Sequence, residues 1–266
     1  MPLSPQIYKG VYCAKLLMAY FVIAIHTTRW TLMGLLDTAV PYFFLANGFF
    51  LFGKLTGDKK KDLSVIKLWI IKVSILYFVW TLIYLPFAIV HFRSEELPFM
   101  TAIAVYTRNV LLVGENLYSC QLWYLLALIW GGSIIYFLRL ANTPPWVMFM
   151  IGLSFYIGAD LLHLEEVPLY VKLFKTTRNG LFFGLLFITG GGLVRQWVKN
   201  DTSTVSVYWI IATGIISLAV FQYSKWFIFP LSACLLLLSL RLSLPVLKKE
   251  TSQRIGDMSK VTTWFI

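Results

Sequence analysis

The chain has 266 residues, of which 59% are hydrophobic and 13% are charged, whereas an ordinary soluble domain is about 45–50% apolar and about 25% charged. This composition excludes an ordinary water-soluble globule and a disordered chain. The formal net charge of +11 is explained by anionic lipid headgroups and basic cytoplasmic loops, so we expect a lipid bilayer as partner and no nucleic acid.

Apolar stretches long enough to cross a bilayer recur along the chain, since each crossing needs about 20 mostly apolar residues. Eight spans are predicted, at Val11–Thr28, Leu35–Gly53, Leu68–Val90, Leu122–Leu140, Pro145–Leu162, Gly180–Val198, Val205–Tyr223 and Phe227–Leu244. A ninth begins at Val261 and stops with the chain at Ile266. The predicted fold is all-α, a polytopic transmembrane helix bundle, with residues 1–266 forming a single domain.

The first span could instead be a cleaved signal peptide, but it has no clear small-residue cleavage site and contains Lys15 and His26. We therefore predict a retained helix. Placing the N-terminus in the cytoplasm puts 14 Lys and Arg residues on the inner side and 7 on the outer side. This bias predicts a multi-pass protein of the cell membrane with a cytoplasmic N-terminus.

Several stretches do not read as spans. Leu97–Val113, which Arg108 interrupts, and Val167–Thr177 are predicted as helices at the outer interface or as loops packed on the bundle. The basic run Lys59–Lys61 is predicted as a loop that sets the topology. Cys13, Cys120 and Cys234 lie in apolar stretches and are predicted to be buried thiols.

Two ionisable residues share the first span. Lys15 and His26 are 11 residues apart, which is about three turns plus about 20°, so they lie on one helix face about 16 Å apart. Lys15 could simply extend toward water from near a helix end, and His26 could be an interhelical histidine paired with a neighbour. As a pair, they suit a ligand phosphate at the ammonium and removal of a hydroxyl proton at the imidazole.

Further polar residues interrupt the later spans. Pro41 and Asn47-Gly48 predict either a kinked helix with a small packing face or a broken helix lining a cavity. Gln121, Trp123 and Tyr124 open the fourth span, where aromatic residues are usually interface anchors. The run Thr177–Gly184 opens the sixth.

In that run, Arg178 is either a helix-end charge or a site residue. Asp160 could orient a basic group, whereas Glu165 and Glu166 are typical of a solvated loop. Gly190–Gly192 is too weak a pattern to assign a dimer seam. The histidines and carboxylates are too scattered to predict a metal site, and no P-loop or G-x-S-x-G motif is present.

Taken in order, these motifs resemble the acyltransferase 3 family of integral membrane proteins. The resemblance rests on the Lys15 to His26 spacing, the second span from Val40-Pro41-Tyr42-Phe43-Phe44 to Asn47-Gly48-Phe49-Phe50, and Leu122-Trp123-Tyr124-Leu125. The run Thr177-Arg178-Asn179-Gly180-Leu181-Phe182-Phe183 is most similar to the membrane domain of the vancomycin-resistance type of membrane-bound serine racemase. The resemblance covers the chain from the first span to its end.

The resemblance implies a bundle of about ten helices that takes an acyl group, commonly acetyl, from acetyl-CoA and passes it to a hydroxyl of an extracytoplasmic sugar or similar acceptor. It places Lys15 at the CoA phosphate and His26 at the acceptor hydroxyl. Arg178 or Asn47 would stabilise the oxyanion or position the acceptor. Trp123, Tyr124, Gln121 and Asp160 would contact the substrate, and no metal is implied.

Some positions depart from the family pattern. Gln121 replaces a histidine found in many relatives, Asn47 replaces a small hydroxyl residue, and the last helices look truncated from Met258 onward. A soluble racemase domain is absent from this sequence, so racemisation is not expected. Two alternatives stay open: serine uptake without acyl transfer, and a scaffold in which the polar residues only pack helices.

Overall fold

The computed structural model describes residues 5–27, 35–95, 97–115, 119, 121–200, 207–221 and 225–241. Of these residues 88% are helical and none forms a strand. The α-helices are α1 (Pro5–Thr27), α2 (Ala39–Gly53), α3 (Lys59–Ser94), α4 (Phe99–Arg108), α5 (Leu122–Leu140), α6 (Pro145–Leu161), α7 (Pro168–Phe174), α8 (Leu185–Asn200), α9 (Val207–Phe221) and α10 (Ile228–Arg241). The all-α prediction is confirmed.

Within the described residues, four helices are long and apolar enough to cross a membrane: Leu36–Gly53, Lys59–Ser94, Leu122–Leu140 and Gly180–Val198. Shorter apolar helices cover Gly10–Ile25, Phe99–Val113, Pro145–Leu161, Tyr208–Val220 and Ile228–Arg241. An apolar helix thus overlaps each of the eight predicted spans, while the count of eight crossings stays a prediction. The start of a ninth span at Val261 lies outside the described residues.

Two stretches that were not predicted as spans are helical. The basic run Lys59–Lys61 forms the first turn of α3, because the Asp58 carboxylate caps that turn by accepting a hydrogen bond from the Lys61 amide at 3.1 Å. The stretch Leu97–Val113 contains α4 and a following π-helical turn, Asn109–Val113. The loop interpretation of Lys59–Lys61 is therefore wrong. Of the two alternatives predicted for Leu97–Val113, the structure has the helix.

The chain divides into two compact units. The first consists of Met1–Gly53 with Gly190–Ile266, and the second of Lys54–Thr189. The division falls within α8, after Thr189.

Helices α1, α2 and α10 pack against one another in the first unit, and α9 packs on α10. The Tyr42 hydroxyl lies 3.0 Å from the Ser239 hydroxyl across the buried α2–α10 contact. Gly190, Gly191 and Gly192 allow α8 to approach closely: a Cβ on Gly191 would overlap the Leu45 carbonyl oxygen, and one on Gly192 would press on the Phe52 ring. This glycine run is therefore a packing seam within the chain.

Helix α3 packs along α5 in the second unit. A buried ion pair joins them, with Arg139 Nη2 2.7 Å from the carboxylate of Asp62. The same carboxylate accepts hydrogen bonds from the amides of Thr56 and Gly57, so it also holds the loop before α3. A π-helical turn, Gly180–Gly184, packs on α5, where a Cβ on Gly180 would overlap Trp130.

Candidate functional site

Lys15 is a buried cation in the first unit. It lies on α1 with a relative exposure of 8%, and its Nζ is 4.8 Å from the centroid of the Phe50 ring on α2. The Tyr12 ring stacks on the same phenylalanine, with centroids 6.4 Å apart. The ammonium therefore rests on an aromatic face, and its three N–H donors have no hydrogen-bond acceptor among the described residues.

The described part of the first unit contains a single carboxylate, Asp37. Asp37 is exposed in the short helical turn before α2, and the 13 residues that separate it from Phe50 correspond to about 20 Å of helix. Because Lys15 lies against Phe50, Asp37 is too far away to pair with it. A buried cation without a counter-charge is costly, so this position is suited to bind an anion.

The predicted partners of Lys15 lie on the same two helices. Helix α1 runs without interruption through His26, which supports the same-face relation, while the His26 side chain lies outside the described residues. Asn47 is half-buried one turn before Phe50, and its Nδ2 donates to the Phe43 carbonyl at 2.9 Å. Pro41 lies in the first turn of α2, where its missing N–H costs little, and α2 is not broken.

Arg195 on α8 is a second basic residue with an incomplete set of partners. Its guanidinium carbon lies 5.2 Å from the centroid of the Phe49 ring, and its Nη1 is buried with no hydrogen-bond partner among the described residues. A Cβ on Gly53 would stand 3.1 Å from Arg195 Nε. In the predicted topology, Arg195 is one of the 14 basic residues on the inner side and was not predicted as a site residue. The glycine run three residues earlier was the available signal that α8 approaches α2.

The other candidates lie in the second unit. Arg178 and Asp160 are both exposed, and both interact electrostatically with the Tyr156 hydroxyl. Tyr156 also packs edge-on against Phe183, at 6.3 Å between centroids. The structure thus brings Asp160 and Arg178, which are 18 positions apart in the sequence, to one tyrosine that the sequence analysis did not single out.

Glu165 shapes the turn that presents Arg178. Its carboxylate accepts hydrogen bonds from the Thr176 hydroxyl at 3.0 Å, and from the Thr177 amide at 3.0 Å and hydroxyl at 2.8 Å. Glu165 is exposed, as expected of a solvated loop, and it also has a structural role that the sequence did not predict. Glu166 fits a solvated loop, since it is exposed and its carboxylate lies 3.6 Å from His163 Nδ1.

Asn179 fixes the start of the π-helical turn beside Arg178. Its Oδ1 accepts from the amides of Leu181 and Phe182, each at 3.1 Å, and its Nδ2 donates to the Tyr170 hydroxyl at 3.0 Å. Burial raises the pKa of Tyr170 to about 12, with the nearby Glu165 charge acting in the same direction and the Asn179 hydrogen bond opposing it. The hydroxyl is therefore neutral and donates to the Thr176 carbonyl at 3.1 Å.

The aromatic residues that open α5 have three different surroundings. The Trp123 ring packs edge-on against Phe183, at 6.0 Å between centroids, and so reaches the same phenylalanine as Tyr156. Tyr124 is buried. Gln121 is exposed, and its Nε2 donates to the Tyr84 hydroxyl at 2.7 Å. Trp123 therefore joins Asp160 and Arg178 around the Tyr156–Phe183 pair, and Gln121 faces Tyr84.

The described residues contain no group of three or more His, Cys, Asp and Glu side chains able to hold a metal ion. Cys13 and Cys234 are free, half-buried thiols, and Cys120 lies outside the described residues. The side chains that the structure brings together at the two sites are cations, amides, hydroxyls, aromatic rings and the carboxylate of Asp160.

Comparison with known proteins gives one family match and two similar relatives. The profile of the acyltransferase 3 family, described as an acyltransferase domain, matches residues 10–265. An amino-acid racemase of Enterococcus faecalis is 27% identical over 82% of this chain and 33% of its own length. A serine/alanine racemase of Enterococcus gallinarum is 29% identical over 77% of this chain and 32% of its own length. The chain spans about a third of these relatives, and no solved structure matches.

Proposed function

Since this chain belongs to the acyltransferase 3 family, we propose that it is an integral membrane acyltransferase with an acyl-CoA donor. The acyl group, which we take to be acetyl, passes to a hydroxyl of an extracytoplasmic acceptor such as a cell-surface sugar. The observation that carries this proposal is Lys15, a buried cation without a carboxylate partner in the described part of its unit. A phosphate of the donor would supply the missing negative charge.

The proposed reaction is a direct transfer. The acceptor hydroxyl oxygen attacks the thioester carbonyl carbon while His26 Nε2 or Nδ1 takes the hydroxyl proton. The C–S bond then breaks, and the CoA thiolate leaves and regains a proton. General-base catalysis of this kind contributes about 10²–10⁴-fold to a rate. The separation of about 16 Å between Lys15 and His26 along α1 is of the order of an extended pantetheine arm.

The remaining roles are stabilisation of the oxyanion and binding of the acceptor. Asn47 lies on α2 one turn from the Phe50 ring that holds Lys15, and its amide is proposed to stabilise the oxyanion. Arg178, Asp160, Gln121 and Trp123 of the second unit are proposed to bind the acceptor through hydrogen bonds and an aromatic face. Tyr124, which is buried, is better suited to packing.

The proposed location is the cell membrane, with several crossings and a cytoplasmic N-terminus. It is supported by the four long apolar helices and by the excess of basic residues on one side of the predicted bundle. Donor binding would then occur near the cytoplasm and acceptor binding on the far side.

Labelled acetyl-CoA offered to membranes that contain the full chain tests the proposal. We expect His26→Ala to abolish acceptor labelling and Lys15→Gln to raise the KM for acetyl-CoA more than it lowers kcat. His163→Ala, which changes an exposed histidine, is the control and should retain full activity. Transfer that persists in His26→Ala membranes would contradict the proposed mechanism.

Serine uptake without acyl transfer is the second candidate. It is supported by the racemase relatives and by the opposite charges of Asp160 and Arg178 beside Tyr156, which suit a zwitterion. Accumulation of labelled L-serine that needs Arg178 and consumes no acetyl-CoA would favour uptake over transfer. If neither labelling nor accumulation occurs, the chain acts as a scaffold.

A further inference from the structure

Two cations rest on neighbouring phenylalanine rings of α2. Lys15 Nζ lies 4.8 Å from the Phe50 centroid, and the Arg195 guanidinium carbon lies 5.2 Å from the Phe49 centroid. The two rings are 5.6 Å apart and meet edge-on at 88°. Laid end to end, these three distances keep the ammonium and the guanidinium carbon within about 16 Å of each other.

Both cations retain unused hydrogen-bond donors. Lys15 is buried and has no acceptor among the described residues, and Arg195 Nη1 is buried and equally without one. The aromatic rings compensate only part of the lost hydration, since a cation–π contact is weaker than the cost of desolvating a charge. Each cation therefore gains from an additional anionic partner.

The protein supplies no such partner in the described part of this unit. Asp37, its single carboxylate there, is exposed at the opposite end of α2. The two cations thus carry two positive charges that no described side chain neutralises. A ligand that carries at least two negative charges can place one at each cation, and phosphate oxygens accept hydrogen bonds from guanidinium and ammonium groups.

We propose that Arg195 is a second anion-binding residue that acts together with Lys15 on separate phosphate groups of one ligand. This inference rests on the proposed function in identifying the ligand as the nucleotide end of an acyl-CoA. Gly53 favours this role because a larger residue would press on the guanidinium. Phe49 and Phe50 back the two cations with apolar surface, which lowers the local dielectric and strengthens both contacts.

Binding of CoA, which carries three phosphate groups, to the purified full chain in phosphatidylcholine nanodiscs tests the inference. We expect Arg195→Gln and Lys15→Gln each to weaken CoA binding about 10–100-fold, and Arg195→Lys to recover part of the loss. Arg241→Gln removes an exposed arginine at the end of α10 and is the charge-matched control, with unchanged binding.

A second ligand separates a binding role from a structural one. 4′-Phosphopantetheine has one phosphate and can engage only one of the two cations. We therefore expect one of the two glutamine variants to bind it as the unmodified chain does, although both bind CoA weakly. If Arg195→Gln weakens neither ligand, or if both variants weaken both ligands equally, the inference is overturned.

The same measurements distinguish this inference from the proposed function. If Lys15→Gln weakens CoA binding and Arg195→Gln does not, the acyl-CoA proposal stands and the role of Arg195 is lost. If the chain does not bind CoA but binds inorganic pyrophosphate, or the lipid of phosphatidylglycerol nanodiscs, through both cations, the proposed two-cation site stands. In that case its anion comes from a free phosphate or a lipid headgroup, and the acyl-CoA donor is rejected.

Discussion

Asp62 and Lys15 are both buried ionisable side chains, and they differ in how the protein compensates their charge. Asp62, at 1% side-chain exposure, has a guanidinium partner and two backbone amides, so its charge is fully compensated within the protein. Lys15 has an aromatic ring and no described acceptor. The first arrangement is typical of a structural ion pair, and the second is typical of a ligand-binding residue.

Asp62→Asn should destabilise the protein by about 3 kcal/mol, because removing one partner of a buried ion pair leaves the other charge uncompensated. This loss of stability is at the low end of the range for such changes, since the Arg139 side chain is still 19% exposed to solvent. Thermal unfolding in detergent, followed by tryptophan fluorescence, measures the loss. Glu166→Gln, at an exposed ion pair, should leave the midpoint within about a degree, because such pairs contribute little.

At the scale of the element, apolar length predicts helices well, since a segment that crosses a bilayer must satisfy its own backbone groups. Short irregularities are harder to predict. The loop interpretation of Lys59–Lys61 failed because the capping carboxylate of Asp58 outweighs the local repulsion of three lysines. The π-helical turns at Asn109–Val113 and Gly180–Gly184 have no periodic signature of their own.

Gly191→Ala tests the packing seam between α8 and α2. The added methyl group would overlap the Leu45 carbonyl oxygen, which is part of a helix backbone and cannot move aside. We expect a loss of about 1–3 kcal/mol, the usual cost of overpacking, seen as a lower unfolding midpoint in detergent.

The matched control is Gly158→Ala on α6. A Cβ there would meet nothing within 4 Å, so only helix propensity changes, in favour of alanine by about 1 kcal/mol. Its midpoint should stay the same or rise. A Gly191→Ala protein as stable as Gly158→Ala would contradict the close approach of the two helices.

At the scale of the whole molecule, the sequence predicts the class and the span-forming segments, while the site depends on contacts between distant segments. Asp62 and Arg139 are 77 positions apart, and Arg195 reaches Phe49 only because three glycines bring α8 onto α2. Such pairings depend on packing, which local periodicity does not encode. Lys15 could be singled out because a cation inside an apolar span is conspicuous by itself.

Chemical labelling tests the orientation of the whole chain. In a variant whose three cysteines are replaced by alanine, a single cysteine is introduced by Lys60→Cys or by Glu166→Cys, both at exposed positions. A membrane-impermeant maleimide should label intact cells carrying Glu166→Cys and spare those carrying Lys60→Cys, because the proposed topology puts residue 60 inside. The reverse pattern would contradict a cytoplasmic N-terminus.

The wide turn at Gly180–Gly184 also bears on how this helix tolerates insertions and deletions. A π-helical turn holds one residue more than an α-helical turn, so a one-residue deletion there would regularise the helix rather than break it. The aromatic side chains N-terminal to the deletion would then rotate by about 100° relative to α8. Phe182 would lose its contact with the Tyr170 ring. Deletion of a single codon would thus change which aromatic side chains pack together and leave the helix backbone intact.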